Sequence, residues 1–303
     1  MQIGFGLPVS GTWAEPGTIT RFATEAERLG YHSLWTFTRL LVATDQELEP
    51  VYQSVLDPLV ALAFAAAHTT RIRLGVAVVN VPYLSPAYLA KQAASLDVLS
   101  RGRLDLGLGA GWSAAEFIAT GAPAERRGAR VEEYVAVLHA LWADGVSRHA
   151  GEFYTVPAGR MEPKPVQRPG PPVLLGGSAP AALRRAGRIA DGWITRSAQD
   201  LTRIGEGVAV VREAARRAGR DPAAVRVVCR GVVRLGEKAT GAERKPLRGT
   251  LAQVRGDIDW LAEQGVTELF FDLNWDPAIG SPDADPVAGA GRAEEILHAL
   301  APS

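Results

Sequence analysis

The sequence predicts an α/β protein in which eight parallel strands, each followed by a helix, close into a (β/α)8 barrel. Strand-like apolar runs alternate with segments of helical apolar spacing along the chain, and the count of such units reaches eight. No single helix-opening glycine fingerprint dominates the first unit, as it would in an open doubly wound sheet, the alternative fold. With 303 residues, 47% hydrophobic and 22% charged, the chain reads as one domain, 1–303, with a large core.

The elements follow in order. Gln2 to Pro8 is mostly apolar, as a parallel strand covered on both faces should be. Ile19, Phe22, Ala26 and Leu29 share one face of a helix that Gly30 stops. Ser33 to Phe37 is strand two, and Asp57-Pro58 caps and opens a helix through Ala67. Ile72 to Val79 is strand three; Pro86 starts a helix with Leu89, Ala93, Leu96 and Leu99 on one side. Arg103 to Gly111 is strand four, and after a linker rich in Gly and Arg the fourth helix covers Val131 to Trp142. The pattern then breaks at an insertion, about 146–172, made of a hairpin turning near Ala150-Gly151 and a proline-rich run. Pro172 to Gly177, Gly192 to Thr195, Val225 to Leu235 and Glu268 to Asn274 are strands five to eight. Their helices are Ala179 to Ala190, Leu201 to Ala218, Thr250 to Gln264 and Ala293 to Leu300.

Lys plus Arg and Asp plus Glu balance at 33 each, which gives no field to attract nucleic acid or a membrane surface. The single cysteine, Cys229, has no partner for an internal disulfide, and Cys and His are too few for a structural zinc cluster. Gln2 onward reads directly as a strand rather than a signal peptide, and no run approaches the roughly 18 apolar residues that cross a bilayer. A cytoplasmic protein acting on a small molecule, with no metal, is expected.

Barrels place function at the carboxyl ends of their strands. Strand four ends in Gly107, Gly109 and Gly111, which permit close approach to the backbone and suggest a ligand floor; a sharp turn is the plain alternative. Gly176-Gly177-Ser178-Ala179-Pro180 lies between a strand and a helix, where amides and the helix dipole hold an anion; a tight turn capped by Ser178 is the alternative. Thr38-Arg39 follows strand two. Arg39 is permanently charged, suited to stabilising an anion and poorly suited to base catalysis. Asn80 follows strand three and offers a donor and an acceptor. Trp35, Trp112 and Trp193 lie near strand ends, where they wall a flat ligand or simply pack. None of the five histidines falls at a strand end. Asp45, Glu47 and Glu49 read as a solvated loop, Arg230 and Asp272 as a structural pair inside the barrel with a substrate role as the alternative, and 236–249 as a disordered surface loop rather than a lid.

The residues also carry a resemblance. Ala26-Glu27-Arg28-Leu29-Gly30-Tyr31 with Ser33-Leu34-Trp35, Leu96 to Arg103 with Gly109-Ala110-Gly111-Trp112 and Glu116-Phe117, Pro163 to Gln167 with Leu175-Gly176-Gly177, and Ala190-Asp191-Gly192-Trp193 resemble the bacterial luciferase-like superfamily, and most closely its branch using the deazaflavin coenzyme F420. The likeness runs from Met1 to about Ala218. It implies a flavin-type ring across the strand ends, a phosphate at the turn after strand five, and a non-prolyl cis peptide at Ala77-Val78 behind the ring. On this resemblance the cofactor-binding residues are Thr38, Ala77, Val78, Asn80, Gly111, Trp112, Gly176, Gly177, Ser178 and Arg196. Many relatives have an acidic residue and His where this chain has Thr38-Arg39. Arg39 is therefore the catalytic candidate as an electrostatic group; another acid, or loss of the catalytic step, are the other readings. The resemblance implies an F420-dependent hydride-transfer oxidoreductase. The alternatives are an FMN-dependent monooxygenase fed by a flavin reductase partner and a cofactor-binding homologue without turnover. A homodimer through the early helices is implied as well, where Ala61, Ala65, Ala66 and Ala67 would allow close approach or pack the core.

Overall fold

A computed structural model describes residues 1–239, 241 and 244–302. Eight parallel strands form a closed barrel: Gln2–Gly6, Ser33–Thr36, Arg73–Asn80, Leu104–Gly109, Val173–Gly176, Gly192–Ile194, Arg226–Gly231 and Glu268–Phe271. Each pairs with its neighbour in sequence, and the first closes on the last through Gln2 to Phe5 against Glu268 to Phe271. Leu104–Gly109 is buried at every residue, which is why these strands read as mostly apolar runs without alternation. Helices cover the outside with their apolar faces inward, as Pro16–Arg28 does with Ile19, Phe22, Ala23 and Ala26. No described helix is long and apolar enough to cross a membrane.

Local chemistry sets the helix starts. Asp57 accepts from the Leu59 and Val60 amides ahead of Pro58–His68, and Thr250 with Gln253 forms a capping box ahead of Leu251–Glu263. The last helix runs from Pro286 to Ala299, seven residues earlier than expected, because Asp285 caps it as Asp57 caps its own helix. A seven-residue helix, Ala114–Thr120, was not expected and brings Glu116 inward. Strand seven ends at Gly231; Arg234–Leu235 leaves the barrel and pairs in parallel with Arg248–Gly249. The expected disorder of 236–249 is thereby corrected for its carboxyl half. Leu247 is fully buried, and Arg244 forms two hydrogen bonds to Asp257 at 2.7 and 2.5 Å. Thr240, Ala242 and Glu243 lie outside the described residues.

The amino-terminal mouth of the barrel is filled by charge. Asp105, with no exposure, accepts from Arg73 and Arg226, and Arg226 reaches Glu268, which also binds Ser33 and the Trp35 indole. The insertion runs from this face along the outside of the helix Arg127–Trp142. Its hairpin, Ser147–Ala150 with Thr155–Gly159, docks through Glu133, which accepts from the Phe153 and Tyr154 amides. Its proline-rich run brings Gln167 to Asp97 and to the Leu104 carbonyl. Arg103 binds the carbonyls of Ala66, Thr69, Ile72 and Ser100, tying the end of one helix to the next strand. Ala61, Ala65 and Ala66 pack in the chain's own core.

Candidate active site at the carboxyl ends of the strands

The floor of the site is a deformed third strand. Its register with strand four shifts between Val76 and Val79, and the Ala77–Val78 peptide is cis. The neighbouring glycines make room for that deformation rather than lying bare. A Cβ on Gly107 would overlap the Val76 carbonyl, one on Gly109 would lie 2.6 Å from Val78 Cγ2, and one on Gly176 3.3 Å from Val78 Cγ1. Val78, half-buried, is the surface that the glycines push up. Gly111 and Gly177 adopt φ of 70° and 135°, where a side chain is strained. Asn80 is buried beside Gly109.

After strand five the helix Pro180–Ile189 begins with Ala179 at its N-cap and no side-chain cap. Ser178 therefore does not cap it, and the anion reading of this turn keeps its amide geometry. Trp193 packs outward against Gly207 and donates its indole N–H to the Gly177 carbonyl at 2.8 Å. It holds the turn instead of walling a ligand. Trp35 lies inside the barrel, stacked on Phe270 at 5.1 Å. Only Trp112, half exposed, stands at the rim. Arg196 is exposed just past strand six, and Asp45, Glu47 and Glu49 are exposed as expected.

Arg39 is enclosed. Its side chain is 3% exposed, its Nη1 lies 3.1 Å from the fully buried Glu116 carboxylate, and its guanidinium sits 4.5 Å from the ring centres of both Tyr52 and Trp112. Glu116 also accepts from the Leu40 amide at 2.8 Å. This pairing matches the charge of Arg39 and gives it a second role, fixing Trp112 over the site. Replacing Glu116 by Gln should destabilise the fold by about 2–3 kcal/mol by leaving a buried guanidinium unpaired, while the Arg39→Met, Glu116→Leu double variant recovers most of that loss. Urea unfolding of wild type, Arg39→Met, Glu116→Leu and the double variant checks it; additive losses would contradict the pairing.

Arg230 is the residue whose reach was not legible. It donates to the Ala77 carbonyl across the barrel at 2.5 Å, lies 3.4 Å from Asp272, and is bordered by Phe37, Phe270 and Trp275. The expected Arg230–Asp272 pair thus exists, and it supports the floor. Burial holds the Asp272 carboxyl above its ordinary range, against the opposing influence of Arg230 and Asn274. Burial and the charge of Glu116 push Tyr83 up to about 12, so its hydroxyl stays protonated at neutral pH.

The polar groups left without partners collect on this face. Of fourteen buried side-chain polar atoms without a hydrogen bond among the described residues, eleven lie at the carboxyl ends of the strands or in the loops that follow them. They include Thr38 Oγ1 and Ser113 Oγ, which have neither a hydrogen bond nor a charged neighbour paired to them. Buried polar atoms are normally paired, so such a concentration marks groups arranged for a ligand. A cavity of about 560 Å³ opens beside Arg230 between the loops that follow strands six, seven and eight.

Comparison with known proteins agrees with this fold. The chain is 36% identical over 251 residues to the uncharacterized protein Rv0953c of Mycobacterium tuberculosis, covering 82% of this chain and 78% of that one. Its fold matches the monooxygenase RslO1 from Streptomyces bottropensis with a TM-score of 0.80 at 25% identity, over 99% of this chain and 98% of that one. An F420-dependent secondary alcohol dehydrogenase, solved with an F420-acetone adduct, matches with a TM-score of 0.77 at 18% identity and the same coverage, a likeness of fold. Residues 4–293 match the family model for luciferase-like monooxygenases, and the chain belongs to that family.

Proposed function

We propose that the protein is an oxidoreductase that transfers a hydride between coenzyme F420 and a small organic substrate. The observation that supports this most is the half-buried Val78 platform over Gly107, Gly109 and Gly176, a seat for a flat ring at strand ends that also carry the unpaired Thr38 and Ser113 hydroxyls. A deazaflavin, when bound, supplies the carbon that gives or takes the hydride. The chain's own residues do the rest. The backbone at Ala77 and Val78, braced by Arg230, carries the ring face; the Gly177-Ser178 amides and the dipole of the following helix hold the phosphate. Thr38, Asn80 and Ser113 offer polar contacts to ring and substrate, and Trp112, held by Arg39, covers them from water. Tyr83, which keeps its proton beside Glu116, can donate a hydrogen bond to a substrate oxygen.

The full-length likeness to a monooxygenase favours one second reading, an FMN-dependent monooxygenase that receives reduced flavin from a reductase. Titrating the purified chain with F420 and with FMN, followed by fluorescence, separates them. The expected result is F420 binding in the micromolar range with FMN at least about tenfold weaker. No response to F420, with oxygen uptake on reduced FMN, would transfer the protein to the second reading. Single-turnover oxidation of bound reduced cofactor by a carbonyl or enone panel distinguishes an enzyme from a holder without turnover.

A further inference from the structure

The cavity beside Arg230 is lined by Arg230, Arg234, Arg244, Lys245 and Arg248, against only two acids, Glu49 and Asp200. This excess stands out in a chain whose charges balance overall. Two of the cations are already committed, Arg244 to Asp257 and Arg230 to Asp272. Arg234 and Arg248 form no ion pair among the described residues, and the nearby Asp276 pairs with Arg292 at 3.7 Å.

Their placement is what makes them informative. Arg234 and Arg248 are register partners in the small parallel sheet, so two like charges stand opposite one another on adjoining strands. Such a pair is unfavourable by itself. Burial and the Arg234 charge both hold Arg248 below its ordinary value, with Asp276 opposing. Arg234 Nε is buried with no acceptor. An arrangement that costs stability and leaves donors unmet is relieved by an anion between the two guanidiniums. Arg230 belongs to both places: it lines this cavity and touches the Ala77 carbonyl under the platform. An anion held here therefore lies one side chain away from the seat of the ring.

We propose that this cavity is a substrate subsite for an oxyanion, gripped by Arg234 and Arg248, so that the enzyme's substrate carries a phosphate monoester or carboxylate. The proposal rests on the oxidoreductase reading above and names the substrate class for it.

The test measures binding of inorganic phosphate and of acetate to the full chain by calorimetry, alone and with saturating F420, and repeats it with Arg234→Gln and Arg248→Gln. Wild type is expected to bind one of the two anions with F420 present, and each variant to bind it about tenfold more weakly. Arg234→Lys should lose less than Arg234→Gln, since a charge remains. Tighter phosphate binding assigns a phosphate monoester, tighter acetate binding a carboxylate. Without anion the Gln variants should melt no lower than wild type, because removing one of two opposed charges relieves repulsion. Coenzyme affinity, read on the same samples, should change less than twofold. Absence of binding of either anion to wild type, or equal binding by the variants, would overturn the proposal. So would an anion displaced by F420 together with variants that lose F420, which would give the cavity to the coenzyme's own tail. Wild type that binds an anion but no F420 would instead remove the F420 reading and leave the anion site standing.

Discussion

Replacing Asp105 by Ala is expected to destabilise the barrel by about 3–5 kcal/mol, the usual consequence of leaving buried charges without their partner. Asp105 has no exposure and accepts hydrogen bonds at 2.8 Å from both Arg73 nitrogens and at 2.7 and 3.3 Å from Arg226. Both guanidiniums lie on neighbouring or opposing strands of the same mouth, so the loss of one carboxylate exposes each to the other. Burial alone would raise the Asp105 carboxyl, but Arg73 and Arg226 outweigh it and hold it below its ordinary value of 3.8. The sign follows from that shift. A carboxyl depressed in the folded state contributes its full stability above pH 3.8 and loses it as pH falls through the folded value. Denaturant unfolding at pH 7 should show the full deficit for Asp105→Ala, and the wild-type advantage should shrink below about pH 4. A deficit under about 1 kcal/mol would mean that the network is solvated and not structural.

Gly176→Leu is expected to weaken coenzyme binding by about 100-fold, roughly 2.7 kcal/mol, while the barrel still folds. A Cβ at this position meets Val78 Cγ1 at 3.3 Å and the Leu108 carbonyl at 3.5 Å, contacts that a small shift of the half-exposed Val78 relieves. The remaining atoms of a leucine have only the ring's seat to enter. Gly107→Ala is the informative contrast, because its added methyl would overlap the Val76 carbonyl, which is backbone and has no room to yield. Gly107→Ala should therefore lower the melting temperature, and Gly176→Leu should lower affinity with little change in melting. Intact F420 binding by folded Gly176→Leu would place the ring elsewhere.

The barrel was legible because parallel strands buried on both faces leave apolar runs that helical spacing does not. Element ends were read within a few residues except where the cue was passed over, as at Asp285-Pro286, which repeats the Asp57-Pro58 signal. Ala114–Thr120 is two turns long and too short for its apolar spacing to register. Several motifs that carry the resemblance prove to hold the scaffold: Arg103 ties a helix end to a strand, Gln167 seals the lower mouth, and Asp191 accepts from the Val173 amide. In the site, the turn at Gly177 and the cis peptide lay where the resemblance implied. Arg39 with Glu116 and Arg230 with Ala77 join residues distant in sequence, so their pairing appears only when the barrel closes. The strand-four glycines suggest a bare surface for a ligand, but the space at Gly107 and Gly109 is taken by the bulge of strand three and that at Gly111 by Tyr83 and Phe117.

A crystal structure of the chain soaked with coenzyme F420 bears most directly on the central claim, that the strand ends form a preformed seat for a tricyclic ring. Density for the ring across Val78 with its phosphate on the Gly177-Ser178 amides is the result expected. A ring bound away from Val78, or strand ends closed over by Trp112 and Arg39 with the coenzyme excluded, would contradict it.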